Sequence, residues 1–153
     1  MKTTKKFDKE LFNENDAKAK AVVTAFAKSE FNIDLVESPF GEYGVDFLML
    51  QEDAHGKYDQ LGFCEVEVCL GWSGGNWPYQ TLNIPIRKLK FVQEKCQFVL
   101  VSKDMGSIAC VSGETLLNCK MIAKKNRFNS EPELFFDIKL EYVTFHEIKK
   151  EAL

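Results

Sequence analysis

Val45-Asp46-Phe47-Leu48-Met49-Leu50 and Phe63-Cys64-Glu65-Val66-Glu67-Val68-Cys69-Leu70 decide how this chain folds. The first is an almost unbroken apolar run and suits a central strand. The second alternates with a period of two, which puts Glu65 and Glu67 on one face of a strand. If the two strands pair as a hairpin, Asp46, Glu65 and Glu67 converge at one end of a sheet. An ionised carboxylate is costly to bury without a partner. Three like charges together need a cation or raised pKa values. Oxygen donors of this kind suit Mg²⁺ or Mn²⁺. Plainer explanations exist for each residue alone. Alternation is what a half-solvated strand produces, and an Asp can cap a turn or accept from a nearby backbone donor. The joint arrangement of the three favours a site.

Working outward, residues from about Phe7 to Ser29 read as a helix. Ala19, Val22, Val23, Phe26 and Ala27 recur at helical spacing and form one apolar stripe. Phe31 to Val36 alternates as a short strand and stops before Pro39. The glycine- and proline-rich stretch GWSGGNWPYQTLNIP, residues 71–85, reads as a loop. Ile86 to Lys95 reads as a short helix with Pro85 near its first turn. Gln97 to Val101 and Ser107 to Val111 are buried strands, and Gly113 to Leu117 starts another short helix. Lys124 to Pro132 is polar loop, and Leu140 to Phe145 is a last strand or extended arm. The expected architecture is α/β, a mixed sheet of about five strands flanked by helices.

The 153 residues fit one domain, 1–153, and 45% hydrophobic content with 13 Phe argues for a sizeable core and against disorder. No apolar run approaches the roughly 20 residues that span a bilayer, and the charged start MKTTKKFDKELF lacks the apolar segment of a signal peptide. A cytoplasmic protein with no membrane partner is expected. The cysteines, Cys64, Cys69, Cys96, Cys110 and Cys119, form no C-x-x-C pair for zinc and read as buried reduced thiols. Neither His55 nor His146 sits in a nucleophile motif, which argues against a Cys–His hydrolase, and no phosphate-binding loop of the G-x-x-x-x-G-K-[ST] type is present. The net charge of −3 is unevenly spread: residues 1–80 carry 8 Lys/Arg against 14 Asp/Glu, and residues 81–130 carry 9 against 3. A basic middle behind an acidic cluster fits a phosphate-facing surface beside a metal site, and also fits ordinary fluctuation of surface charge.

The order helix, three strands, helix, strand, with Asp46 at the start of the second strand and Glu65-Val66-Glu67 on the third, resembles the PD-(D/E)xK nuclease superfamily. The resemblance covers about residues 7–111, leaving 112–153 as a C-terminal extension. It implies a restriction-endonuclease-like three-layer core. It also implies a Mg²⁺ or Mn²⁺ ion held by Asp46, Glu65 and the Val66 carbonyl. Glu67 stands where the family has Lys. In some members a Glu there is compatible with cleavage, and in others the Lys moves to the following helix. That makes Lys88 the first choice here, ahead of Arg87 and Lys90. Many family sites add a carboxylate from the first helix, for which Glu14 is the choice, with Glu10 and Glu30 as rivals. The segment WSGGNWPYQTLNIPIRK is also similar to one in small phage-encoded members of that superfamily.

The function this implies is metal-dependent hydrolysis of phosphodiester bonds in DNA. Asp46 and Glu65 hold the ion, and Glu67 with Lys88 positions or deprotonates the attacking water. Arg87 and Lys90 contact phosphates, and Trp72, Trp77 and Tyr79 stack on bases. The aromatics equally fit a minor core that pins the loop. Cutting both strands of a duplex takes two centres, so a homodimer fits. The alternative is a catalytically inactive accessory protein on the same scaffold that binds DNA or a host protein, which the Glu at position 67 favours.

Overall fold

The computed structural model describes residues 9–39, 44–91, 95–125 and 131–148. It begins with helix α1, Lys9–Phe31. Strands β1 (Asp34–Glu37), β2 (Phe47–Glu52) and β3 (Tyr58–Cys69) then form an antiparallel meander. Beyond it lie β4 (Thr81–Pro85), a 3-10 helix (Ile86–Phe91), β5 (Cys96–Ser102) and β6 (Ser107–Ser112). Helix α2 (Gly113–Asn118), strands β7 (Lys120–Lys124) and β8 (Glu133–Lys139), a 3-10 helix (Leu140–Tyr142) where a strand or arm over Leu140 to Phe145 was expected, and strand β9 (Thr144–Glu147) are the remaining described elements.

The fold is α/β, with a mixed six-stranded sheet in the order β1-β2-β3-β5-β6-β9 and a smaller sheet in the order β4-β8-β7. Only the β3–β5 pair is parallel in the large sheet, Phe63 facing Cys96 and Cys69 facing Ser102. Parallel neighbours need a crossover. Here the crossover runs through β4 and the 3-10 helix, so it delivers Arg87 and Lys88 beside β3.

Alternation along β3 divides the core in two. Cys64 and Val66 pack with Ala19, Val23 and Phe26 of α1. Phe63 and Cys69 pack on the other side, with Leu82 and Ile84 of β4 and Phe136 and Ile138 of β8. The result is three layers: helix, large sheet, small sheet. The small sheet takes the place where flanking helices were expected. Its strands were missed for identifiable reasons. β4 lies inside a stretch whose Gly and Pro content reads as loop. β7 and β8 sit in a tail without clean alternation, beside residues 126–130, which fall outside the described set. The expected helix over 86–95 is a 3-10 helix that ends at Phe91.

One glycine fixes how β5 joins β3. Gly62 has φ +150, and a Cβ there would overlap the Lys95 carbonyl oxygen. That carbonyl accepts from the Phe63 N–H at 2.9 Å, just beyond the register shift between Met49 and Leu50. The close approach starts the β3–β5 pairing and so sets which residues of β3 lie under the crossover.

Candidate active site

Asp46 immediately precedes β2. The antiparallel register that pairs Phe47 with Cys64 therefore brings it opposite Glu65. The two residues clasp each other through the backbone. The Asp46 N–H donates to Glu65 Oε1 at 3.0 Å, and the Val66 N–H donates to Asp46 Oδ2 at 2.8 Å. A carboxylate fixed by a backbone N–H in this way is held in one orientation.

A lysine reaches this pair from each neighbouring layer. Lys88, on the crossover, places Nζ 2.9 Å from Glu65 Oε2. Lys20, on α1, places Nζ 3.2 Å from Asp46 Oδ1 and 2.8 Å from Asp16 Oδ2. Glu67 points to the same side of β3 as Glu65. It lines one cleft with Glu65 and Lys88, beside Ile84, Phe98 and Leu100. Its ion pair to Arg87 is long, 3.9 Å, whereas Arg87 pairs tightly with Glu133 at 2.9 Å.

Glu65 is only 6% exposed. Burial pushes its carboxyl up to about 7, the Lys88 ammonium pulls it down, and the Asp46 carboxylate pushes it up again. Lys88 moves the other way from most buried lysines. Burial lowers it, but Glu67, Glu65 and Asp46 together raise it further, so it is an ammonium at neutral pH. Lys20 behaves likewise: burial lowers it, and Asp16 and Asp46 outweigh that.

Among the described residues no cluster of three or more His, Cys, Asp or Glu side chains is arranged to hold a metal ion. The donor set at the sheet end is therefore two carboxylates, Asp46 and Glu65. That set does not make a closed protein cage. It does fit a Mg²⁺-type ion, which keeps several waters and takes one or two carboxylates plus substrate phosphate. Each of the two lysines serves two carboxylates, Lys20 with Asp16 and Asp46, Lys88 with Glu65 and Glu67, so negative charge remains for such an ion to reduce.

The structure brings Asp46, Glu65, Val66 and Lys88 together and sets Glu67 along the same cleft. It does not bring Glu14. That residue, like Glu10 and Glu30, is exposed. Glu14 lies two positions before Asp16, about 200° around the helix from it, and Asp16 is the α1 carboxylate linked to the site. Asp16 and Lys20 went unread in the sequence. The signal was there as an i, i+4 pair flanking Ala19 and Val23 on the buried stripe.

Trp72 is corrected outright. It is 1% exposed, in the core, with its indole N–H donating to Gly75 O at 3.2 Å, so it offers no face to a base. Trp77 is half-buried and stacks edge-on against Trp72 at 5.1 Å. Tyr79 is exposed. Arg87 is exposed but engaged by Glu133. The expectation for Lys90 concerns a side chain outside the described set.

The thiols offer no competing chemistry. All five cysteines are unpaired with one another. Burial pushes Cys96 up to about 12 and Cys110 up to about 11, so neither is a nucleophile near neutral pH. His146 packs its ring against Phe26 at 5.0 Å. Among the described residues no helix is long and apolar enough to cross a membrane.

No family model matches the chain, and no curated protein matches it. Among solved structures, D212, a nuclease from a fusselovirus, is similar over 85% of this chain and 87% of its own, at 16% identity and a TM-score of 0.41.

Proposed function

We propose that the protein is a metal-dependent nuclease that hydrolyses phosphodiester bonds in DNA, with Asp46 and Glu65 as ion ligands and Lys88 as the site's catalytic cation. The observation that carries this reading is the Lys88–Glu65 contact at 2.9 Å. The residue at the family's lysine position is Glu67, yet a lysine ammonium from the crossover stands beside the (D/E)-x-K carboxylate all the same. The resemblance of Asp46 and Glu65-Val66-Glu67 to the PD-(D/E)xK pattern supports the same assignment.

A bound Mg²⁺ or Mn²⁺ would polarise the scissile phosphate and make its water more acidic. Asp46 and Glu65 would hold it, with the Val66 carbonyl as the family's third donor. Asp46 is oriented for this by the Val66 N–H, and Glu65 by the Asp46 N–H. Lys88, held as an ammonium, donates to and neutralises a phosphate oxygen as charge builds in the transition state. It does not serve as the base. Glu67 lines the same cleft beside the Lys88 ammonium, with a long pairing to Arg87, and is suited to accept the proton from the attacking water. Water oxygen bonds to phosphorus, one phosphorus–oxygen ester bond breaks, and the departing oxygen takes up a proton from solvent.

One observation favours the second reading, an inactive accessory protein that binds DNA or another protein. Each of the two carboxylates already has a lysine ammonium within 3.2 Å without any ion. Cleavage of single-stranded, duplex and branched DNA with Mg²⁺ or Mn²⁺ separates the readings. Wild-type cutting that disappears in Asp46→Asn and Glu65→Gln supports the nuclease. A folded wild type that cuts nothing and takes up no Mn²⁺ supports the accessory protein.

A further inference from the structure

Lys20 has no counterpart in the arrangement that the resemblance implies. It approaches from the helix layer, opposite the crossover that carries Lys88. Its ammonium bridges Asp16 Oδ2 at 2.8 Å and Asp46 Oδ1 at 3.2 Å. The other Asp46 oxygen is fixed by the Val66 N–H at 2.8 Å. The Asp46 carboxylate thus has a full positive charge on the very group assigned to the ion.

An ion of the Mg²⁺ class sits roughly 2 Å from a carboxylate oxygen. An ammonium about 3 Å from the same carboxylate would then stand within about 5 Å of a doubly charged ion. At that range in a half-buried site the two cations repel, so they compete for Asp46. The lysine stem is long and flexible, and Asp16 lies one turn away on the same helix. The ammonium has somewhere to go without losing its partner.

We propose that Lys20 is a positioning residue that acts as an internal counter-ion to Asp46, competing with the divalent ion for that carboxylate and withdrawing onto Asp16 when the ion binds. This rests on the reading of Asp46 and Glu65 as the ion ligands. It explains why the site is held in order without an ion. It also makes ion occupancy, rather than folding, the step that arms it.

The test is Mn²⁺ binding by isothermal titration to wild type, Lys20→Gln and Lys20→Arg, with thermal melting in EDTA and in Mn²⁺. Lys20→Gln keeps a donor for Asp16 and loses the charge. It should bind Mn²⁺ about ten-fold or more tightly than wild type, as expected when a competing charge is removed. Its melting temperature should fall in EDTA and rise more on adding Mn²⁺ than that of wild type. Lys20→Arg keeps the charge and should bind no more tightly than wild type. A purely structural lysine would give weaker ion binding in Lys20→Gln. Unchanged or weaker binding in that variant, with wild type binding normally, overturns this inference and leaves the nuclease reading intact. Failure of both wild type and Lys20→Gln to bind Mn²⁺ overturns the two together.

Discussion

Lys88 Nζ lies 2.9 Å from Glu65 Oε2, although 23 residues separate the two. The distance is closed by the crossover that makes β5 parallel to β3. Fold and site are therefore coupled: whatever fixes the crossover fixes the ammonium. Lys88→Met leaves Glu65 with burial and Asp46 alone, both of which push its pKa beyond about 7. Below pH 7 Glu65 is protonated in both proteins, so its contribution differs little. Above pH 7 the variant must either keep the proton or bury an uncompensated charge. Lys88→Met should therefore lose on the order of 1–3 kcal/mol more stability at pH 8.5 than at pH 6, in urea denaturation. An equal loss at both values would show that the lysine does not compensate Glu65.

Glu65→Gln reads the same carboxyl from the other side. The wild-type group moves from an ordinary 4.5 to about 7 on folding. The folded state then binds the extra proton, so stability falls as pH climbs through the window from about 4.5 to about 7. The fall corresponds to roughly 3 kcal/mol. The difference in unfolding free energy between wild type and Glu65→Gln should change by that order across the window and level off above it. Saturating Mn²⁺ should suppress the decline in wild type, because an ion on the carboxylate takes over the proton's role. A flat difference across the window would mean that Glu65 titrates normally.

Asp46→Asn separates structure from chemistry. The Asp46 backbone N–H still reaches Glu65, and an amide oxygen can still accept from Val66 N–H. The fold should survive with a melting temperature within several degrees of wild type. On the nuclease reading, the variant removes one ligand charge and with it the cleavage, by on the order of a thousand-fold or more. Plasmid or oligonucleotide cleavage in Mn²⁺, measured beside a thermal melt, checks both halves. Activity near wild type would reduce Asp46 to a turn cap.

Period-two alternation in 63–70 placed Glu65 and Glu67 on one face, and the hairpin register followed once β2 paired with β3. The crossover lysine was legible only because the resemblance supplied a reason to look for it on the element after β3. What stayed hidden was decided by tertiary placement. Glu14 and Asp16 each have a Lys four residues on, and only their places relative to the Ala19–Val23 stripe, which packs α1 on the sheet, tell them apart. Trp72 and Tyr79 share one loop and one chemical class. The sequence carries no sign that the first is swallowed by the space between the sheets. The small sheet was invisible for a similar reason: β4 becomes a strand because β8 pairs with it, against the local signal of the glycines and proline that lead into it and of Pro85 at its end.

The loop 71–80 gives the last prediction, because its aromatics have opposite surroundings. Trp72 fills the core, with rings of Trp77 and Phe145 edge-on at 5.1 and 6.0 Å. Trp72→Ala should cost about 3–5 kcal/mol, the usual range for a large buried aromatic. Tyr79 is 52% exposed, with its hydroxyl donating to Gly71 O at 3.2 Å and its ring edge-on to Trp77 at 5.5 Å. Tyr79→Phe should change stability by less than about 1 kcal/mol. Tyr79→Ala removes the one exposed ring of the three. If that ring stacks on a base, Tyr79→Ala weakens binding to single-stranded DNA by on the order of 1–3 kcal/mol, while Tyr79→Phe binds like wild type. Fluorescence anisotropy with a labelled oligonucleotide measures this in EDTA, where cleavage does not interfere. Equal affinity for wild type and Tyr79→Ala would make the loop's aromatics a packing device, with contacts to nucleic acid left to the charged side chains of the cleft.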